Sequence, residues 1–181
     1  MKRLQLLILL FAFSLPGFCQ DSADDYSKAE QEMEKAREKG AKKTTKTKLY
    51  EGFQFGMSDD DLDAYMRDND LFERRTILQL GDKKVNASKS YFLNDDKLNG
   101  LKILIAKEEI ERLEIGVFEL NEMVYQYFSS QYTKGKWFKL YGSSYSYVEK
   151  NLNIAIDPLD LGHRKGIVIL FFDARAEKAN L

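Results

Sequence analysis

From Leu49 onward the chain switches repeatedly between two hydrophobic periods. Tyr50, Phe53 and Phe55 suggest a short strand stopped by Gly56. Ser58, with Asp61 three residues on, marks a capped helix start, and Leu62, Tyr65 and Met66 give that helix its apolar stripe. Alternation then predicts strands over 76–80, 85–93 and 98–106, separated by the turn residues Gly81-Asp82 and Asn94-Asp95-Asp96. The order repeats in the second half. Leu113, Val117, Leu120, Val124 and Tyr127 recur at helical spacing and predict a helix that ends near Thr133 and is stopped by Gly135. Its start stays open, because Leu113-Ile115-Val117 also alternates like a strand and Gly116 weakens a helix. Strands are predicted over 137–141, 145–156 and 167–172. The last is apolar throughout, so it should be central, covered on both faces and shared by the two halves. These elements predict an α+β fold: tandem helix-plus-three-strand units forming an antiparallel sheet with helices packed on one face. Residues 49–181 would form a single domain with halves at about 49–106 and 107–181.

The N-terminal pattern is different. Lys2 and Arg3 precede an apolar run over 4–15, and Pro16-Gly17 breaks it. That order reads as a secretory signal peptide over 1–19. The run falls short of the about 20 apolar residues a membrane-spanning helix needs. Cleavage after Cys19 would leave Gln20 at the start of the exported chain, with Gly17 and Cys19 as the two small residues before the cut. The alternative is cleavage before Cys19 with a diacylglycerol on its sulfur, although bulky Phe18 stands where a small residue is usual. The Gln20-Asp21 start resembles exported proteins of the Bacteroidetes, and the acids that follow resemble the tract behind the lipidated cysteine of their surface lipoproteins. The expected location is therefore periplasmic or secreted, with membrane attachment only if Cys19 is lipidated.

Residues 20–48 lack Phe, Leu, Ile, Val and Trp, and 21–48 carries seven acids and eight bases. Acids dominate its first half and lysines its second. Without a strong apolar face, this composition predicts a charged flexible tether. A sharper reading makes 35–48 a basic arm for anionic lipid or glycan. Asp21-Ser22-Ala23 resembles a Bacteroidetes O-glycosylation acceptor, and Asn86-Ala87-Ser88 fits an N-glycosylation sequon.

The formal charge of −1 becomes −3 when Lys2 and Arg3 leave with the signal, which points away from nucleic acid. Ordinary cleavage also removes the only cysteine, and with it disulfides, thiolate nucleophiles and cysteine-based zinc sites. No cofactor is expected, since neither a phosphate-binding loop nor a dinucleotide fingerprint occurs. His163, the only histidine, lies in a turn without a nucleophile elbow. The spacing Asp157-x-x-Asp160-x-x-His163 matches no standard metal motif, and Asp59, Asp61 and Asp63 lack the glycine and glutamate of a calcium loop. No catalytic or metal residues are therefore expected. Glu149 and Asp173 remain as a carboxylate pair for an envelope hydrolase acting on carbohydrate, should they face each other. The aromatic cluster is the stronger lead. Nine of the 23 aromatics lie in 125–147. Core filling accounts for part of this; the binding reading puts Trp137, Tyr141, Tyr145 and Tyr147 on an open sheet surface, with Ser144 and Ser146 on the other face.

The segment Phe53-Gln-Phe-Gly-Met-Ser-Asp-Asp-Asp-Leu resembles the strand-to-helix opening of the SmpA/OmlA (BamE-type) family and of β-lactamase-inhibitor-protein-like domains. Gly56-Met57-Ser58 is the matching turn. The resemblance implies a helix on a small antiparallel sheet, tandem units, and action by binding other proteins. The combined expectation is an exported, non-catalytic binding or structural protein of the bacterial cell envelope. Its partner would be an envelope protein or glycan, met through the aromatic-rich sheet surface.

Overall fold

The computed structural model describes residues 17–71, 74–161 and 164–175. The signal residues 1–16 and His163 lie outside them. Seven strands form one antiparallel sheet: β1 (Arg75–Leu80), β2 (Lys83–Asn94), β3 (Lys97–Ala106), β4 (Lys136–Lys139), β5 (Tyr145–Glu149), β6 (Leu152–Leu161) and β7 (Arg164–Asp173). Their spatial order is β1-β2-β3-β7-β6-β5-β4. The helices are α1 (Gly17–Gly40), α2 (Asp59–Asp68), α3 (Lys107–Leu113) and α4 (Val117–Gln131). The fold is α+β.

The first half, α2 with the meander β1–β3, follows the alternation closely. Buried Thr76, Leu78 and Leu80 alternate with exposed neighbours in β1. Gly56 turns the chain at φ 84°, and Ser58 caps α2 by accepting from the Asp61 N–H at 3.1 Å. β7 pairs with β3 from Gly100↔Phe172 to Ala106↔Gly166, so the apolar last strand joins the two halves as expected.

Three elements differ from the pattern. Residues 145–156 form the hairpin β5–β6, which turns at Lys150 (φ 54°) and Asn151 and gives the second half four strands. The turn lacks glycine and proline; Asn151 instead anchors it by donating to Asp173 at 2.8 Å. The helix expected up to Thr133 is two helices, separated where Glu114 takes φ 54° and Gly116 caps α4. Tyr50, Phe53 and Phe55 are not on a strand. A 3₁₀ turn over Tyr50–Gly52 folds Phe53 into the core.

α2, α3 and α4 cover one face of the sheet. Leu62, Ile110, Leu120, Val124 and Phe128 share one cluster with Leu101, Ile103, Ile154, Ile169 and Phe171. On the other face of β7, Val168, Leu170 and Phe172 are only half-buried, so that strand is covered fully on one side alone.

The segment expected to be a flexible tether is ordered in two pieces. α1 lies on the second face, where Met33 packs with Phe138 and Val148, and Ala36 packs beside them. Its inward residues Tyr26, Ala29, Met33, Ala36 and Gly40 follow helical spacing. Small side chains let this stripe dock without the large aliphatics usual on a helix face. At Gly40 a Cβ would come within 2.1 Å of the Lys150 carbonyl oxygen, so the helix end seats directly on the β5–β6 turn. Residues 41–48 then wrap around the end of the sheet. Thr47 Oγ1 donates to the Glu149 carboxylate at 2.6 Å, and Thr45 Oγ1 reaches it at 3.3 Å. Lys42, Lys43, Lys46 and Lys48 stay exposed along this strap.

Candidate functional site

The aromatic cluster is interior. Tyr147 is 0% exposed and Tyr145 4%, because their face of β5 is the one α4 covers. Tyr145 stacks on Tyr125 at 4.0 Å and donates to Glu122. Tyr147 contacts Tyr132 and Trp137, and Trp137 is half-buried with its indole N–H donating to the Tyr132 carbonyl at 3.0 Å. Burial pushes the Tyr132, Tyr145 and Tyr147 hydroxyls above the ordinary phenol value. Of the four residues expected on an open platform, Tyr141 alone is exposed, at 76%, and it meets Tyr26 of α1 edge-on at 5.7 Å. The face with Ser146 is not open either. Ser146 lies under α1 and accepts from Arg37 at 3.3 Å. Strand pairing thus gathers the aromatics, but two helices cover them from opposite sides.

Glu149 and Asp173 are also engaged in the structure. Glu149 accepts from Thr45, Thr47 and the Tyr147 hydroxyl, the last at 2.9 Å. Asp173 accepts from Asn151 and from the Arg175 Nε and backbone N–H, both at 2.9 Å. Both carboxylates are buried and neither lines the cleft described below. They hold the strap and the C-terminal turn to the sheet end, each engaged by donors and outside the cleft, so neither is placed to meet a carbohydrate there. Among the described residues no three potential metal ligands cluster. Asp59, Asp60 and Asp61 fill the first turn of α2, where the helix dipole favours carboxylates. Asp160 and Cys19 have no described side chain, so a cation site at 157–163 and lipid attachment fall outside the description. Among the described residues no helix is long and apolar enough to cross a membrane.

The cleft with concentrated polar chemistry lies elsewhere, around the start of β1. It encloses about 950 Å³ between β1, β2, the end of β3 and α3. Its floor contains a buried lysine. β2 turns Val85, Ala87 and Lys89 toward the core, and Lys89 is 4% exposed. Its ammonium pairs with Glu51, which the positive φ of 57° in the 3₁₀ turn swings toward the sheet. Thr76 Oγ1 donates to the same carboxylate at 2.8 Å, and the Tyr65 hydroxyl donates to the Glu51 carbonyl at 3.0 Å. Tyr50 lies 3.0 Å from Thr76, its hydroxyl pushed up to about 12 chiefly by burial. The buried Tyr91 hydroxyl has no hydrogen-bond partner among the described residues, and burial, reinforced by Glu51, pushes it up as well.

The cleft wall is closed by a second carboxylate. β3 stops pairing with β2 at Ser88↔Leu104 on this side, which would leave the next inward-facing N–H of β2 unpaired. Glu109 of α3 takes it, accepting from the Asn86 N–H at 2.6 Å and from its side-chain amide. Arg112 donates to Glu109 at 2.6 and 2.8 Å and, with the Asn86 bonds, holds that carboxyl down at about 2. The sequon asparagine is thus already engaged. Asn86, Ser88, Leu104, Arg75 and Ile77 form the open side. The arrangement offers fixed charges, hydroxyls and one exposed apolar side chain, Ile77 at 58%. Such groups can meet a ligand with hydrogen bonds and charge. The sequence reading missed this site, although a lysine in the buried phase of β2 was its visible signal.

No family model matches this chain, and no curated protein or solved structure matches it.

Proposed function

We propose that this is an exported, non-catalytic binding protein of the bacterial cell envelope, and that it binds through the cleft beside β1 rather than through the aromatic cluster. The single observation that carries the reading is a wide cleft with a charge-balanced polar floor beside the edge of β1 that no described strand pairs. The Lys2-Arg3 start and the apolar run behind it support export. The Gly56-Met57-Ser58 resemblance to BamE-type and β-lactamase-inhibitor-protein-like domains supports a protein as the partner. The direct test is photo-crosslinking in the envelope of the producing cell, with a photoreactive residue placed at Ser88 in the cleft or at Gln126 on exposed α4. Adducts from Ser88 but not from Gln126 are expected. Equal labelling from both, or none from Ser88, would overturn the reading. Intact mass of the exported form is expected to match a chain starting at Gln20; a diacylated Cys19 would make it a surface lipoprotein instead.

A further inference from the structure

The two outermost strands of the sheet leave different backbone edges. The Lys89 N–H donates to the Arg74 carbonyl at 2.8 Å, which fixes the phase of the β1–β2 ladder. With the register Thr76↔Ala87 and Leu78↔Val85, the even-numbered residues of β1 face β2. Arg75, Ile77 and Gln79 therefore direct their backbone N–H and C=O groups away from the sheet, and no described residue bonds them. They offer three donors and three acceptors at the repeat of an extended chain. The opposite edge, β4, has four residues, carries Lys136 and Lys139, and is braced by α1 through the Lys136–Glu32 pair at 2.6 Å. Short length, lysines and a covering helix are the usual ways of blunting an edge; β1 has neither the short length nor the helix.

We infer that β1 receives an extended peptide segment of a partner protein as an eighth strand, and that this segment places carboxylates on either side of a central apolar residue. The inference deepens the binding reading above and rests on it. Main-chain bonds to Arg75, Ile77 and Gln79 supply the pairing. The residue opposite Ile77 lies on the same face and covers its exposed side chain. Charge selects the flanking residues. Arg75 and Lys84 occupy that face toward the two ends of the strand, Arg74 and Lys83 sit beside them, and none of the four is in an ion pair with a described residue. Among the described residues the acids nearby are fewer: Glu51 and Glu109 are taken by Lys89 and Arg112, leaving Asp70 and Asp82 in flanking turns and Glu108 across the cleft, while Glu73, next to Arg74 in sequence, lies outside them. The same charges disfavour a second copy of this chain. Antiparallel self-pairing about Ile77 would bring Arg74 and Arg75 of one copy toward Lys83 and Lys84 of the other, and like charges oppose it.

The probe is the blocked peptide Thr-Glu-Thr-Val-Thr-Glu-Thr, titrated into the exported chain and followed by amide NMR and hydrogen exchange. Saturable shifts centred on Arg75, Ile77 and Gln79 are expected, with exchange of those three amides slowed about tenfold or more, since they bond to no described residue in the free chain. A peptide with lysine for both glutamates should bind about tenfold more weakly at low salt. Ile77→Pro removes one free donor at an edge, where proline is tolerated, so it should melt as the parent does and lose the peptide. If that variant is unfolded, Gln79→Pro, which removes another outward-directed N–H of β1, makes the same test. Binding without slowed exchange, equal binding of the lysine peptide, or retention by the folded variant would overturn strand addition. A dimer of the free chain that Ile77→Lys dissolves would replace the acidic partner with a second copy. Ser88 adducts without peptide shifts would sink strand addition and spare the binding reading; loss of both would sink both.

Discussion

The two ends of the sheet solve the same problem in opposite ways. At β4 the outward face is closed by apolar packing: Phe138 and Val148 receive Met33 of α1, and the strap that follows the helix satisfies Glu149. At β1 the outward face stays open, and the groups beneath it are held by charge: Lys89 on Glu51, Arg112 on Glu109. A covered edge depends on contacts from a distant segment. A bare edge can stay flat and available only if the polar groups next to it are already paired, or they would recruit water and local disorder. The contrast puts the proposed recognition at β1 and stability devices at β4.

The largest expected effect tests the charged floor at β1. Lys89→Met strips Glu51 of its cation beside a buried threonine and a buried phenol that no described residue partners. Breaking such a pair from one side costs about 3–5 kcal/mol, whereas Lys89→Met/Glu51→Met should recover much of the loss, because most of the cost is the orphaned charge. Urea unfolding of both variants checks this. A double variant as unstable as the single would show that the pair acts through geometry around the turn at Tyr50–Gly52 and not through charge.

Next comes the packing at β4. Phe138 is 5% exposed under Met33, so Phe138→Ala should cost about 3 kcal/mol, read as a lower midpoint in urea. An effect under 0.5 kcal/mol would mean that α1 does not brace this edge in solution, and the contrast between the two edges would collapse.

These two residues also show what the sequence made legible. Period-two alternation located β1, β2 and β3, and the uniformly apolar run located β7 as the joining strand, because those signals are local. Lys89 was hidden by its type: a lysine in the inward phase reads as an interruption unless a partner is known, and Glu51 comes from a turn 38 residues away. α1 was hidden by the size of its contacts. Ala29, Met33, Ala36 and Gly40 carry the helical period, but a search for large aliphatics passes over them. The aromatic residues were correctly grouped and wrongly exposed, since composition cannot tell which strand face a helix will cover. That β1 is an edge follows only from the strand order, which no local pattern encodes.

A smaller effect concerns acid. The Glu109 carboxyl is held at about 2 in the folded chain, below its ordinary 4.5, chiefly by Arg112. The fold therefore favours its ionised form. The stability it adds is complete above about pH 4.5 and is lost as pH falls from there toward 2. Glu109→Gln removes that linkage, so the melting temperatures of parent and variant should converge as pH drops through this window, with the parent higher at neutral pH. Parallel curves would mean that the carboxylate at the end of β3 contributes nothing through its charge, and that the cleft wall is held by α3 packing alone.

The smallest expected effect is the most informative about β1. Ile77 faces outward at 58% exposure, and its backbone groups bond to no described residue. Replacing it with lysine removes little buried area and breaks no ladder bond, so Ile77→Lys should stay within about 0.5 kcal/mol of the parent. At β4 an outward aromatic is costly to lose; at β1 an outward aliphatic should be free to change as far as folding is concerned. An exposed isoleucine on an unguarded edge contributes almost nothing to the free chain and raises its aggregation hazard. If urea midpoints show Ile77→Lys to be neutral while the variant no longer captures an added strand, the side chain serves recognition. A loss above about 1 kcal/mol would instead mean that Ile77 is packed in solution, and that the edge taken here as open is covered by the chain itself.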